Sequence, residues 1–361
     1  MHGTTIEHAK IGVLVSKRAD SYDTEGGECI EALPTIEEEV FDNNRNGGIV
    51  LAARGSKFTN NTRGVLILPY VSPNGINNLC RFTKTTFAWD DNIRGKNYIH
   101  IQMDQVEGIY VKGCELFNNI SLDLEGYQSG AGIFSNGSKF FAIPNCNVIG
   151  ELGAPCPDET RNTFRDLIAG IITLNWNDTR SFVCNKNNFI NNRYGVYVLG
   201  TKHEIISNNR FDILELPDDE QSAGLVMYNS HGYTVENNSF AGLENTEVNA
   251  VNPSTYGIVV SNSGEGYNEI YRNEFQNLKI GGQTQYNNGQ TEGVENTSTS
   301  GLKWLCNTFN KPIREAQLTL VNGTMNLFQG NAITAAQNVA GLIQCAARNR
   351  FTDPEDGEDI E

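Results

Sequence analysis

The sequence lacks any apolar run of about 18 residues, the length that a membrane-spanning helix needs. It is also short of positive charge: 27 lysines and arginines stand against 43 aspartates and glutamates, a formal net charge of -16. This surplus repels the phosphates of nucleic acids and anionic lipid surfaces. The composition therefore argues against nucleic-acid partners and membrane insertion. It also disfavours polyanionic glycans without bridging cations, whereas neutral glycans are compatible with it.

The first 15 residues lack the basic start, apolar stretch and small-residue cleavage site of a signal peptide. Gly12-Val13-Leu14-Val15 already has the pattern of a strand. We therefore expect the chain to begin inside the fold, with any export signal lying upstream.

None of the eight cysteines belongs to a CxxC pair, so a structural zinc site is not expected. Several stand beside repeated Asn and Phe positions, as in Cys184-Asn185-Lys186-Asn187-Asn188-Phe189, and are predicted to be buried free thiols. Cys146 and Cys156 bracket an insertion rich in Gly and Pro and are the best disulfide candidates.

Motifs of the common cofactor and metal chemistries are also missing. The five histidines form no HxH or HExxH pattern, and there is no P-loop, nucleotide-binding GxGxxG or GxSxG element. His203 and His231 lie close to one repeat apart and are expected to be stacked neighbours. The sequence predicts no cofactor and no metal site, with calcium the one ion that its acidic clusters leave open.

What the chain does contain is a repeat. Its unit is approximately Asn-x-Phe-x-(Asn/Asp)-(Asn/Leu)-x-x-Gly-(Ile/Val)-x-(Val/Leu), with clear copies starting at Asn162, Asn187, Asn209, Asn238 and Asn273. The spacing from one Phe to the next varies from 22 residues (Phe189 to Phe211) to 35 (Phe240 to Phe275). A short unit lengthened by insertions at constant places is typical of a solenoid.

Short β-branched segments punctuated by Gly and Asn indicate strands and not helices. Asn tolerates left-handed backbone at a corner and can bond to its equivalents, while Gly opens the next strand where a side chain would crowd the turn. A further apolar column, five residues before each Phe, is placed inside the cylinder: Phe82, Cys184, Ile206, Val235, Ile270 and Trp304. The sequence thus predicts an all-β, right-handed parallel β-helix of about ten rungs.

These rungs resemble the parallel β-helix repeats of the pectate-lyase-like superfamily, from Gly12 to about Phe351. The Asn-rich rungs with Cys306-Asn307-Thr308-Phe309 also resemble secreted surface proteins of bacteria. The resemblance implies a single β-helix domain over residues 1–352, followed by an acidic tail at 353–361, and a secreted or cell-surface location. It is specific for fold and not for chemistry.

Catalytic side chains on such a fold are expected on outward positions of one stacked sheet. We assign x of Gly-(Ile/Val)-x-(Val/Leu) to these positions, because strand side chains alternate. The assigned residues are Leu14, Val50, Leu66, Tyr110, Phe134, Ile172, Tyr197, Val226 and Val259, with His100 joining them if Ile99-His100-Ile101 is a strand. None is Asp, Glu, Lys or Arg. The stripe is instead a candidate sugar platform through Tyr110, Phe134 and Tyr197, with Trp176 and Tyr228 nearby. The alternatives are cover by the chain's own loops or by a partner protein.

Carboxylate pairs at Asp90-Asp91 and Asp218-Asp219 are the remaining catalytic candidates. Adjacent strand residues point to opposite faces, so only a loop brings such a pair together. A solvated loop is the simpler interpretation, since no basic partner is evident.

The sequence therefore favours a non-enzymatic extracellular module for surface display, adhesion or glycan contact. One alternative is a polysaccharide lyase or glycoside hydrolase with a loop-borne carboxylate site. The other is a purely structural spacer. The sequence leaves oligomeric state and the identity of any glycan open.

Overall fold

The structure is a computed structural model. It describes residues 1, 3–15, 49–52, 54–69, 79–90, 98–119, 130–146, 157–175, 180–216, 220–242, 254–289, 301–310, 313–325, 330–331, 345–346 and 349–351. Short strands follow one another in the order sheet A, sheet B, sheet C, and each strand pairs in parallel with its equivalent one repeat later. Three such strands form one rung of a parallel β-helix, as predicted. The right-handed sense of the coil stays a prediction.

The strands are numbered in chain order. Sheet A contains β1 (Thr5–Glu7), β4 (Lys57–Thr59), β7 (Thr86–Trp89), β10 (Glu115–Asn118), β13 (Thr163–Arg165), β16 (Asn188–Asn192), β19 (Arg210–Ile213), β22 (Ser239–Gly242), β25 (Glu274–Gln276), β28 (Thr308–Phe309) and β32 (Arg350–Phe351). Sheet B contains β2 (Ile11–Val15), β5 (Arg63–Ile67), β8 (Ile99–Asp104), β11 (Ala131–Asn136), β14 (Ala169–Leu174), β17 (Tyr194–Leu199), β20 (Gln221–Tyr228), β23 (Ser254–Ser261), β26 (Leu278–Asn288) and β29 (Ile313–Met325).

Sheet C contains β3 (Ile49–Ala52), β6 (Leu79–Thr83), β9 (Glu107–Lys112), β12 (Lys139–Ile143), β15 (Val183–Asn185), β18 (Ile205–Ser207), β21 (Thr234–Glu236), β24 (Tyr267–Tyr271) and β27 (Gly301–Leu305). A small antiparallel pair, β30 (Gly330–Asn331) with β31 (Cys345–Ala346), and one 3-10 turn at Asp158–Thr160 complete the described elements.

The repeat Phe forms a column of stacked rings inside the cylinder. Phe189, Phe211 and Phe240 are almost completely buried, and their ring centroids are 4.7 and 4.6 Å apart with nearly parallel planes. Parallel strands in register place identical side chains one rung apart, and the interstrand spacing of about 4.8 Å suits offset stacking of aromatic rings. The apolar column predicted five residues before each Phe is also buried, on the inner side of sheet C.

The repeat Asn forms a second internal column, at the corner between sheets C and A. Each side-chain NH2 donates to the Oδ1 of the next Asn, at 2.7 Å from Asn162 to Asn187 and 3.0 Å from Asn187 to Asn209. The ladder continues through Asn238, Asn273 and Asn307 to Asn349. Each amide also binds backbone groups, so a polar column is accommodated in the core with its hydrogen bonds satisfied.

Left-handed backbone at this corner belongs to the residue before the ladder Asn. Asn208 has φ 56° and Asn237 has φ 53°, whereas Asn209 and Asn238 carry the ladder. The sequence analysis assigned both roles to one residue type at the corner, and the structure divides them between consecutive residues. Asn fits the first position because it reaches the left-handed region at low cost.

The glycine that opens each sheet B strand is needed for close packing. A Cβ on Gly195 would lie 2.4 Å from Cδ1 of Phe211 and 2.5 Å from the carbonyl oxygen of Gly224. Both distances are far below van der Waals contact. The glycine thus lets the next rung approach, as the repeat predicts.

Candidate functional site

The outer surface of sheet B carries a run of uncharged outward side chains. In register across five strands lie Phe134, Ile172, Tyr197, Val226 and Val259, which we call the sheet-B face. Val196 and Val198, on either side of Tyr197, are completely buried, so alternation directs Tyr197 outward. Each member of the face is half-buried.

Polar residues continue the same column at both ends. Gln102 precedes Phe134 in register, and Gln283 follows Val259. Gln102 accepts a short hydrogen bond from Arg63, and Gln283 accepts one from Gln285 at 2.5 Å. The apolar stretch therefore has polar margins along the axis of the helix, an arrangement typical of binding surfaces.

Three tyrosines meet at the centre of this face and are called the tyrosine cluster: Tyr194, Tyr197 and Tyr228. The Tyr194 and Tyr197 rings are 5.5 Å apart at 66°, an edge-to-face contact. Tyr228 follows on the next strand and is 37% exposed. Burial and the neighbouring hydroxyls of Tyr194 and Tyr228 raise the pKa of Tyr197. Tyr197 is thus close enough to Tyr194 and Tyr228 to interact with both.

The five strands that form the face, β11, β14, β17, β20 and β23, contain no Asp, Glu, Lys, Arg or His. The nearest described cation at its edge is Arg193, whose guanidinium lies 5.6 Å from the Tyr194 ring centroid. Arg193 is also paired with Glu220 at 3.3 Å. The face itself is neutral, in a chain whose net charge is -16.

The edge of the face nearest sheet A is the more deeply buried one. Ala223, Tyr256 and Ile280 are buried on this side and pack with Tyr194, Val226 and Val259. Cover of the stripe by the chain's own loops stays a prediction, and Tyr197 is half-buried and Tyr228 exposed. The accessible part of the face is therefore the strip around the tyrosine cluster.

Three residues of the predicted stripe are placed elsewhere. Tyr110 belongs to β9 of sheet C, where its ring stacks on Phe141 at 4.8 Å, so it is not part of the sheet-B face. Val50 lies in β3, also of sheet C. The prediction failed because Gly-Ile-Tyr-Val and Gly-Ile-Val-Leu match the sheet B motif but follow the next corner of their rungs.

His100 is the third exception, because it points inward from its strand. It stands where other rungs have the sheet B glycine, is 2% exposed, and its Nε2 lies 3.1 Å from the carbonyl oxygen of Phe117. Burial lowers the pKa of His100 to about 4. The outward residue of this rung is Gln102.

The catalytic candidates are not brought together by the described structure. Asp90 is exposed at the end of β7, where its Oδ1 accepts from Nδ2 of Asn119 at 2.5 Å and its backbone N–H donates to Asn60. Asp91, Asp218, Asp219 and the platform candidate Trp176 lie outside the described residues. Among the residues that the structure describes, no three His, Cys, Asp or Glu side chains group as metal ligands.

The predicted burial of the cysteines is confirmed for Cys80, Cys114 and Cys184. Cys114, Cys184 and Cys306 are free thiols, but Cys306 is only half-buried, so its predicted place in the core is wrong. Burial raises the pKa of the Cys114 thiol to about 12, because the thiolate would lose its hydration. Cys146 is disulfide-bonded, and its predicted partner Cys156 lies outside the described residues.

His203 and His231 are stacked neighbours, as their spacing predicts. The backbone N–H of His203 donates to the carbonyl oxygen of His231 at 3.1 Å. Burial, Lys202 and His203 together lower the pKa of His231. This corner is therefore held by backbone pairing between rungs.

Two residues of functional interest escaped the sequence analysis. Tyr194 was missed because it precedes the motif glycine. Tyr194 nevertheless lies on the outer surface, where its ring contacts Tyr197 edge to face and packs beside Ala223. Glu204 was missed because nothing in its local sequence marks it as internal, yet it is completely buried.

No protein-family model matches the chain, and no curated protein or solved structure matches it. The part of the chain that the structure describes contains no helix long and apolar enough to cross a membrane.

Proposed function

We propose that this protein is a non-enzymatic, extracellular β-helix module that contacts neutral glycans through the tyrosine cluster. The observation that carries the proposal is the partly exposed tyrosine cluster, which lies on a face of five consecutive strands that contain no charged residue. Tyrosine offers an apolar ring for the C–H face of a pyranose and a hydroxyl for its polar edge. The resemblance to the pectate-lyase-like superfamily supports a glycan partner and remains a prediction of its own.

The absence of charge on the five strands favours a neutral glycan. A neutral glycan gives up no ionic hydration at this face, whereas an acidic one would bring carboxylates to an acidic protein with no cation on the five strands. The glutamines at both ends of the apolar stretch supply amide donors and acceptors for sugar hydroxyls. A neutral chain lying along the helix axis would meet successive rungs at about 4.8 Å intervals.

Affinity electrophoresis and calorimetry against matched neutral and acidic polysaccharides test the proposal. We expect binding to neutral chains only, weakened about 3- to 10-fold by Tyr197→Ala or Tyr228→Ala, since an aromatic contact contributes about 0.5–1.5 kcal/mol. Tyr267→Ala is the matched control, because Tyr267 is 44% exposed on sheet C, away from the cluster. Equal losses in all three variants, or no binding to any neutral glycan, would overturn the proposal.

The same panel separates binding from catalysis. New reducing ends or unsaturated products, measured with and without calcium, would make the protein a hydrolase or lyase. Loss of that turnover in an Asp218→Ala/Asp219→Ala variant would assign it to those carboxylates. We expect no product from any polysaccharide.

A further inference from the structure

Among the described residues, Glu204 is the one acidic side chain buried inside the cylinder, in a column that also contains Ile109, Phe140, Asn268 and Leu302. Phe182, Glu204 and Tyr233 each stand one residue before paired strands of sheet C, and Phe182 stacks on Phe140 of the preceding rung at 5.1 Å. Backbone bonds fix the register, since Ile205 donates to the Phe182 carbonyl and Thr234 to the Glu204 carbonyl. Glu204 therefore occupies a position where the two preceding rungs have Phe.

Glu204 lacks the partners that a buried carboxylate needs. It is 0% exposed, and neither Oε1 nor Oε2 makes a hydrogen bond of normal geometry. The donors beside it are the Thr201 hydroxyl and the backbone N–H of Glu204 itself, and they lower its pKa less than burial raises it. Tyr233 directs its hydroxyl to Ser263, at 3.3 Å. An ionised carboxylate in this setting loses its hydration with little compensation.

The groups around Glu204 do not offset a negative charge. Burial raises the pKa of Tyr233, and the charge of Glu204 raises it further, so the two groups disfavour each other's ionisation. The inner sides of sheets A and B present Phe211, Val198 and Met227, which are apolar. Lys202, His203 and His231 belong to the same corner but are half-buried or exposed, and their side chains are not in contact with the carboxyl oxygens.

The position of Glu204 relates it to the tyrosine cluster. The corner of residues 200–204 directly follows β17, which carries Tyr194 and Tyr197, and Tyr233 directly follows the corner after β20, which carries Tyr228. The N–H of Gly200 donates to the carbonyl oxygen of Tyr228 at 2.8 Å, joining the two corners. A change at Glu204 therefore acts on the two rungs that position the three tyrosines.

We propose that Glu204 makes these two rungs pH-sensitive: its neutral form is accommodated in the cylinder, and its ionisation opens the corner of residues 200–204 to water and loosens the tyrosine cluster. The effect on the corner follows from the burial of Glu204 and from the lack of well-formed hydrogen bonds to its carboxyl oxygens. The effect on glycan binding rests on the proposed function.

The direction follows from proton linkage. Burial raises the pKa of Glu204 from 4.5 to about 7, outweighing the nearby Thr201 hydroxyl. Between these two values the folded state holds a proton that the unfolded state has released, so stability falls as pH rises from about 4.5 to 7 and levels off above. Over this window the equilibrium between closed and open corner shifts by up to about 300-fold.

Hydrogen exchange with mass spectrometry, corrected for intrinsic rates, tests the corner in the full-length protein at pH 5, 6, 7 and 8. We expect protection of residues 200–204 and 230–233 to fall by up to about 70-fold across this range, because part of the limiting 300-fold shift already lies below pH 5. Glu204→Gln and Glu204→Leu should give protection that does not change with pH, because neither side chain ionises. Leucine should be accommodated here, since the two preceding rungs have Phe at this position. Glu274→Gln, at an exposed glutamate, should retain the wild-type profile.

Two results would overturn the proposal. One is the same pH dependence in wild type and in either neutral variant. The other needs only the wild-type protein: a corner at 200–204 that is no more pH-sensitive than the corresponding corner at 262–266. Glycan binding is measured in parallel, weaker at pH 8 than at pH 5 in wild type and unchanged in Glu204→Leu. If the corner is pH-sensitive but no glycan binds, the proposed function fails and the role of Glu204 at the corner stands. If glycans bind but protection of the corner does not change with pH, the role of Glu204 fails and the proposed function stands.

Discussion

At the scale of single residues, the asparagine ladder shows how a polar column is stabilised within an apolar cylinder. Asn238 makes four hydrogen bonds through its side chain. Its Nδ2 donates to the Ile206 carbonyl and to Asn273, and its Oδ1 accepts from the backbone and side chain of Asn209. The Nδ2 group and the Oδ1 atom each have two partners, because a primary amide offers two N–H donors and an oxygen with two acceptor sites.

Replacing Asn238 by alanine should therefore be costly. Asn238→Ala leaves the N–H of Asn209 and the carbonyl of Ile206 buried without these partners, so we expect a loss of about 2–4 kcal/mol in the free energy of unfolding. Urea denaturation measures it. Asn310→Ala is the matched control, because Asn310 makes an exposed hydrogen bond to Glu274, and it should lose under about 1 kcal/mol. Similar losses in both variants would contradict the role of the ladder.

The sequence predicted the ladder, but not that the side-chain bonds and the left-handed backbone belong to two consecutive residues. The repeat shows that Asn recurs at the corner, and amide chemistry predicts bonding between rungs. Whether an Asn bonds or turns depends on its φ, and consecutive asparagines such as Asn208-Asn209 look alike in sequence. Glu204 is a similar case, because its burial is set by the register between rungs.

At the scale of the strand, His100 reveals a compensation between neighbouring elements. A Cβ at the sheet B glycine points at the Phe of the next rung, as Gly64 does at Phe87 and Gly132 at Phe164. His100 has a side chain at this position, and the next rung has Leu116 in place of Phe. The smaller leucine leaves the room that the imidazole fills.

This compensation predicts coupling between β8 and β10. Leu116→Phe should overpack against His100 and lose about 1–3 kcal/mol, and His100→Gly should also destabilise by leaving a void. The double variant restores the usual Gly and Phe pair, so its loss should be smaller than the sum by about 1 kcal/mol or more. Urea denaturation of all four proteins measures the cycle. Pairing His100→Gly with the distant Leu302→Phe is the control, and additivity in both cycles would refute the compensation.

The same irregular rung explains where the predicted stripe failed. The motif Gly-(Ile/Val)-x-(Val/Leu) marks sheet B where its glycine follows the repeat Phe by six residues, as Gly195 follows Phe189, and also where an insertion lengthens this spacing, as between Phe211 and Gly224. In the rung of Phe87, His100 replaces that glycine, and the next match, at Tyr110, falls in sheet C. Phe134 and Tyr197 were assigned to the correct sheet, and Tyr228, which was placed near them, also lies there.

At the scale of the molecule, each described strand of sheets A, B and C pairs only with its equivalents one rung before and one rung after. Stability in such a solenoid is close to a sum of rung terms and nearest-neighbour interfaces, so damage should stay local. Phe211→Ala removes a ring that stacks on Phe189 and Phe240, at a cost of about 3–5 kcal/mol. We expect hydrogen-exchange protection to fall in β16 to β22 and to persist in β5 and β26.

A matched variant should lower hydrogen-exchange protection in a different part of the β-helix. Phe58→Ala removes a ring that stacks on Phe87 at 4.7 Å, so protection should fall in β4 to β8 and persist in the rungs of the tyrosine cluster. Glycan binding should follow the same rule, since the cluster lies on β17 and β20: Phe211→Ala should weaken it and Phe58→Ala should leave it unchanged. Uniform loss of protection along the chain in either variant would mean that the β-helix unfolds as one cooperative unit. That result would contradict the expectation that a substitution affects stability and glycan binding only in nearby rungs.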